Sequence, residues 1–390
     1  MLSKIKLAII GSRGIPAKYG GFEIFTELLA MGLDKDKYDI TVSCEVSGFK
    51  KIDIYLGATL KYFPLPPPKS YLLRKLYEAL NDIYFLLKLS HDNDVLYFLG
   101  VGTSGFFSFM PKLINRDIKL VINIDGLEWR RDKFSFVEKF LLRLNNQMAE
   151  HFCDVIVVDS RSLIKYIGKF GDKAMYIPYG VCDPELSPWD SNLLNCLPPT
   201  SNELSSIQKR KYYLVVARLE PENNIHVIIK GFLASSSIHP LCIVGNPSDF
   251  NYMKELQKMS HNNFNKKIIF FGGIYESRLL NMLRQNAFAY IHGHSVGGTN
   301  PSLLDAMIMK NLILAHNNEF NREVGGESMV YFDNEVRLSE LINEIENNYT
   351  DYIYLQAKTY DRVKKYYSWD VILTLYDRLF SQVYSQVPKD

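Results

Sequence analysis

Short β-branched runs alternate with amphipathic stretches along almost the whole chain, and the alternation stops once and then restarts. Strand-then-helix repetition of this kind builds successive βαβ units, which require largely parallel sheets with helices on both faces. Strand candidates fall at 5–10, 38–44, 58–63, 95–99, 118–124, 154–159 and 174–178, then at 212–217, 240–244, 267–271, 287–292, 312–315 and 329–332. The interruption lies between Val181 and Lys211, where Asp183-Pro184, Ser187-Pro188, Pro198-Pro199 and a run of Ser and Asn replace any hydrophobic period. The expected fold class is therefore α/β with two doubly wound domains, 1–185 and 211–366, joined by a linker at 186–210. A chain of 390 residues is also longer than one hydrophobic core usually serves. The segment Tyr366–Tyr384 reads as a helix with Trp369, Val371, Ile372, Leu375, Leu379, Phe380 and Val383 as its apolar positions, and it needs a surface to cover.

Composition removes several classes of function. With 45 Lys and Arg against 43 Asp and Glu, the net charge of +2 gives no global attraction for nucleic acid. Cys44, Cys153, Cys182, Cys196 and Cys242 are odd in number, scattered and without paired metal spacing, which points to a reducing, cytoplasmic setting and no structural zinc. Charge interrupts the N-terminal apolar residues too early for a secretory signal core. The apolar stretch 95–111 is broken by Gly100, Gly102 and Gly105, so it reads as strand, loop and helix start instead of a membrane span.

Four segments carry chemistry. After the first strand come Gly11-Ser12-Arg13-Gly14-Ile15-Pro16 and then Gly20-Gly21-Phe22-Glu23, opening a helix. Glycines at such a turn let N–H groups approach an anion, or serve only a tight turn; the spacing matches neither the dinucleotide fingerprint nor a P-loop. Arg218 ends the first strand of the second half, within Ala217-Arg218-Leu219-Glu220-Pro221-Glu222-Asn223-Asn224. A guanidinium at that edge of an open sheet suits a diphosphate, or else pairs with Glu220 or Glu222. His292-Gly293-His294-Ser295-Val296-Gly297-Gly298-Thr299-Asn300-Pro301 is a glycine-rich turn feeding a helix, with Asp305 one turn inside. Its two histidines lack a third metal ligand nearby. Asp125-Gly126-Leu127-Glu128-Trp129 ends a first-domain strand with two carboxylates and an aromatic, suited to sugar hydroxyls and a sugar face, or to an ordinary cap and salt-bridge cluster.

In order and in content these four segments resemble family four of the retaining GT-B glycosyltransferases, in its bacterial rhamnosyltransferase-like branch. The resemblance covers nearly the whole chain. It implies a GT-B fold of two Rossmann-like domains, with the final helix 367–390 packing back on the first. It implies a nucleotide-diphosphate sugar donor held by Gly20, Gly21, Arg218, Asn223, Gly298, Thr299 and Asn300, with Asp305 near the ribose and the base near Gly272 and Ile274. Arg13, Asp125, Glu128 and Trp129 would serve the acceptor, and Asp125 and Arg218 catalysis. This sequence also departs from the family. The common diphosphate lysine is Asn223, the first acidic residue is Gly297, the second is the shorter Asp305, and the histidine near the transferred sugar is Asp125.

The expected activity is metal-independent, cofactor-free retaining transfer of a sugar, with dTDP-rhamnose as donor, to a glycan or lipid-diphosphate-linked acceptor in surface polysaccharide synthesis. A nucleotide-sugar epimerase and a non-catalytic sugar-nucleotide-binding protein stand as alternatives. Residues 130–143 carry Arg130, Arg131, Lys133, Lys139 and Arg143 interleaved with Phe134, Phe136 and Phe140, either a peripheral membrane contact at the inner face or a solvated helix face.

Overall fold

The computed structural model describes residues 3–17, 20–46, 51–102, 104–124, 126, 129, 135–197, 204, 206–261 and 267–387. The chain forms two units, one of Met1–Pro178 with Ile372–Asp390 and one of Tyr179–Val371.

The first unit carries β1 (Ile5–Ile10), β2 (Tyr38–Cys44), β3 (Ile54–Tyr55), β4 (Ala58–Tyr62), β5 (Val95–Leu99), β6 (Lys119–Ile124), β7 (Val155–Val158) and β8 (Ala174–Tyr176). Their order is β3-β4-β2-β1-β5-β6-β7-β8, parallel throughout except for the short β3–β4 pair. β5 is buried at every position, as a central parallel strand covered on both faces must be. Strand order reverses between β1 and β5, so the crevice at their carboxyl ends lies beside Gly11 and Gly100. There Gly11 sits at φ 95°, and a Cβ would lie 2.1 Å from the Leu99 carbonyl oxygen. Only glycine lets these two strand ends meet.

The helix Trp369–Tyr384 covers this unit with its later turns. Tyr376 and Tyr97 share a hydroxyl hydrogen bond of 2.8 Å, Phe380 meets the Tyr97 ring edge-on at 5.5 Å, and Asp377 accepts from Tyr38 and pairs with Lys37. Leu373 lies so near Gly32 that a Cβ there would sit 2.3 Å from its Cδ1.

The second unit carries β9 (Tyr213–Val216), β10 (Leu241–Val244), β11 (Ile268–Gly272), β12 (Ala289–His292), β13 (Ile313–His316) and β14 (Val330–Phe332), ordered β11-β10-β9-β12-β13-β14 and all parallel. Alternation along β9 sends Leu214 into one core layer and Tyr213 and Val215 into the other, so both faces are covered. The reversal falls between β9 and β12.

The expected linker is not a free tether. Leu194, Leu197, Leu204 and Ile207 are buried in one core layer of the second unit, and Ser191–Cys196 forms a 3₁₀ helix with Asp190 accepting the Asn192 N–H. These four aliphatic side chains anchor the described part of the segment to that core.

Candidate functional site

The switch point of the second sheet brings two of the four segments together. Leaving β9, the chain runs through Arg218 into a 3₁₀ turn at Pro221–Asn223; leaving β12, it runs through Gly293 toward the helix Pro301–Ile308. The two loops are tied to each other. Ser295 donates from its N–H (3.0 Å) and its hydroxyl (2.7 Å) to the Glu222 carbonyl, and Asn224 Nδ2 donates to the Gly293 carbonyl at 2.9 Å. A Cβ on Gly293 would stand 2.2 Å from the Asn223 carbonyl oxygen, so glycine is required for this approach.

Arg218 projects from this junction with about half of its side chain exposed, held loosely at 3.3 Å by Glu220, whose carboxylate is nearly buried and also accepts from Ser248 at 2.7 Å. The guanidinium is thus aimed without being used up, which leaves donors for an anion. Asn223 is 2 % exposed, and its Nδ2 donates to the Arg218 carbonyl at 2.7 Å, so it braces the arginine's loop.

In the turn after β12, Gly297 takes φ 119° and Thr299 is buried, while Asn300 caps the following helix by accepting the Ser302 N–H at 2.9 Å. Gly298 lies half-buried between them. Pro301 occupies the first helical position and the first turn holds no acidic side chain, so the positive end of the helix stays uncompensated by its own residues. Asp305 is half-buried and pairs with Arg284 of helix Ser277–Gln285 at 2.9 Å. Burial pushes its carboxyl up from the ordinary range and Arg284 opposes that shift.

Next along the sheet edge, Gly272 ends β11 at φ 67° and Ile274 packs its side chain against the core. Asn246, just past β10, joins this loop to the Arg218 loop: its carbonyl accepts the Leu219 N–H at 3.0 Å, its Oδ1 accepts the Gly273 N–H at 2.8 Å, and its Nδ2 donates to the Tyr275 hydroxyl. Sequence reasoning missed Asn246 and the exposed ring of Tyr275, although Gly245-Asn246 directly after a strand carries the signal. It also missed Asn318 and Asn321, which donate at 2.8 and 2.9 Å to the His294 carbonyl and hold the base of the glycine turn.

Tyr290 and His292 share one side of β12, and with His294, two residues on, their rings stack at centroid separations of 6.2 and 5.8 Å. His292 is buried, and burial, with His294 and His316 adding, lowers its pKa well below the ordinary value. Among the described residues no group of three His, Cys, Asp or Glu side chains is placed to hold a metal ion.

The first unit's turn is furnished differently. Arg13 donates its N–H to Glu23 at 3.1 Å and Ala17 donates to Glu27, so two carboxylates of the following helix answer two loop donors. The Arg13 side chain is exposed and reaches Glu78 at 4.0 Å. Gly20 sits at φ 118° against the Glu23 carboxylate, whereas a Cβ on Gly21 would meet nothing within 4 Å. Asp125 and Glu128 lie outside the described residues. Trp129 lines a cavity of about 390 Å³ with Asn146, Glu150, Tyr166 and Phe170, in which burial pushes the Glu150 carboxyl up to about 7.

Residues 4–182 match the model of a domain of unknown function (DUF1972), and residues 199–366 match the model of glycosyl transferases group 1. No curated protein sequence matches the chain. Among solved structures, a sucrose-phosphate synthase from Thermosynechococcus elongatus superposes with a TM-score of 0.76 at 14% identity, covering 98% of this chain and 100% of that one. Anabaena HepE in complex with UDP-glucose gives 0.72 at 14% identity, covering 97% and 100%. The catalytic domain of starch synthase IV from Arabidopsis thaliana, bound to ADP and acarbose, gives 0.71 at 11% identity, covering 98% and 100%. The fold is GT-B.

Proposed function

We propose that this chain is a retaining, metal-independent glycosyltransferase that takes its sugar from a nucleotide-diphosphate donor bound at the switch point of the second sheet. The observation that carries the reading is the stitched pair of loops there, with Arg218 on one and an anion-ready glycine turn on the other, inside the stretch that matches glycosyl transferases group 1. Structural relatives crystallised with UDP-glucose and with ADP support a sugar nucleotide as the ligand.

In this reading Arg218 and the turn Gly298-Thr299-Asn300 neutralise the diphosphate as its bond to the anomeric carbon breaks. The acceptor hydroxyl attacks that carbon from the face the leaving group departs, forming the new glycosidic bond, and its proton passes to a donor phosphate oxygen. Asp305, already oriented by Arg284, reaches the ribose, and the Gly272–Ile274 loop borders the base. Arg13, Asp125, Glu128 and Trp129 serve the acceptor, a glycan or lipid-diphosphate-linked glycan of a surface polysaccharide. The branch resemblance favours L-rhamnose carried on dTDP.

Thermal-shift screening against nucleotide sugars, followed by transfer assays with the one that stabilises, tests this directly. A rise in Tm with dTDP-rhamnose and turnover that needs an acceptor are expected. Epimerised donor without acceptor, or stabilisation without turnover, would overturn transfer in favour of the epimerase or the binding protein.

A further inference from the structure

Two helices of the first unit leave apolar side chains in water. The connections β4 to β5 and β6 to β7 both step toward the β8 edge, so right-handed crossovers place their helices, Tyr71–Leu89 and Phe136–Phe152, on the same face of the sheet. The electrostatics agree, because Lys75 on the first helix acts on Glu138 of the second. Both helices also hold one loop. Ser104 donates to Asp82 at 2.6 Å, and Asn145 accepts the Phe106 N–H at 2.9 Å.

On the second helix Phe136 is 86 % exposed and Phe140 60 %, with Val137 and Leu141 also exposed. On the first, Leu73, Leu76 and Leu80 are exposed at i, i+3 and i+7, one stripe of that helix. Fraying does not account for this arrangement. Ser135 accepts the Glu138 N–H while the Glu138 carboxylate accepts the Ser135 N–H, a reciprocal cap that fixes the helix start with its apolar turn outward. Lys75 directly precedes Leu76 on the first helix, and on the second Lys139 and Arg143 each follow an exposed phenylalanine by three residues.

We propose that this face docks on an anionic lipid bilayer. Apolar side chains on a fixed helix with cations around them match the acyl boundary and the phosphate layer of such a surface. A second copy of the chain suits it less well, because a dimer contact over this face would take the Lys139 and Arg143 cations of both copies out of water. No described helix is long and apolar enough to cross a membrane, so the contact lies in the interface. The docking needs no sugar transfer, so its test stands apart from that of the transferase reading.

The test is co-sedimentation of the full chain with vesicles of phosphatidylcholine mixed with phosphatidylglycerol and with phosphatidylcholine alone. Binding is expected on the mixed vesicles, at least about tenfold weaker on the neutral ones and reversible by salt. Phe136→Ser with Phe140→Ser, and separately Lys139→Glu with Arg143→Glu, should each lower partitioning about tenfold or more while circular dichroism and Tm stay as in the parent chain. Equal binding by the parent chain and both pairs, or no binding to mixed vesicles, would overturn the proposal. A lipid-free dimer in sedimentation velocity that the Phe136/Phe140 pair abolishes would give the face to a second copy instead.

Discussion

After β1, a glycine turn leads into the helix Gly21–Gly32, and the turn's N–H groups are met by that helix's own carboxylates, Glu23 for Arg13 and Glu27 for Ala17. After β12, a glycine turn leads into Pro301–Ile308, whose first turn has no acidic residue and whose surroundings are His292, which burial holds against taking up charge, Arg218 and the Arg284–Asp305 pair. Both turns sit at a strand end beside a switch point. A helix N-terminus favours negative charge wherever it occurs, and here one unit supplies that charge from within while the first turn of the other's helix supplies none. Glycine spacing therefore marks where an anion is able to sit, and the nearest carboxylate decides whether the protein already fills it.

The largest effect is expected at Arg218. Arg218→Ala should lower kcat/KM by about 10²–10³ with little change in Tm, since a half-exposed cation leaves no cavity when it is removed. Unchanged kinetics in a folded variant would break the contrast between the turns. Next comes a matched pair of substitutions. Gly293→Ala drives a Cβ into the Asn223 carbonyl and should lower Tm by several degrees and weaken nucleotide affinity about tenfold, whereas Gly21→Ala enters open space and should leave both nearly unchanged. Calorimetry with the nucleotide reads the pair, and a loss of affinity in a stable Gly21→Ala protein would put ligand at the first turn after all.

A smaller, pH-dependent effect should come from His292. Its folded pKa lies well below 6.5, so the unfolded chain binds the extra proton first as the solution is acidified. Its contribution is complete above about pH 6.5 and is lost toward acid at up to about 1.4 kcal/mol per pH unit. Urea midpoints between about pH 7.5 and 5.5 should fall less steeply for His292→Asn than for the parent chain. The smallest expected effect is none: EDTA should leave transfer rates intact, and a complete loss restored by a divalent cation would place a metal at the second turn.

The architecture was legible because parallel strands buried on both faces write themselves as short aliphatic runs; the run 95–99 became β5 at the same residues, and 38–44 became β2. The two-residue β3 was illegible, because two residues set no period. Arg218 and the turn around Gly298 could be placed at strand ends, since the end of a strand is a local property. Which way Asn223 turns is decided by the Arg218 carbonyl five residues back, and the clamp of Asn318 and Asn321 on His294 by a helix from the next crossover. Such contacts have no local sequence signature. The burial of Leu194, Leu197, Leu204 and Ile207 within 186–210 was hidden for a related reason, since the core they join is built by distant elements.

The returning helix Trp369–Tyr384 has a consequence for how the chain is made. Residues 179–371 are contiguous and leave the ribosome as one stretch, whereas the first unit must wait for Ile372, Tyr376 and Phe380, all synthesised after the whole second unit. Until then Tyr38 and Tyr97 face water where that helix belongs. The N-terminal half is thus born first and finished last, and during translation it is the half with an aromatic surface to shield.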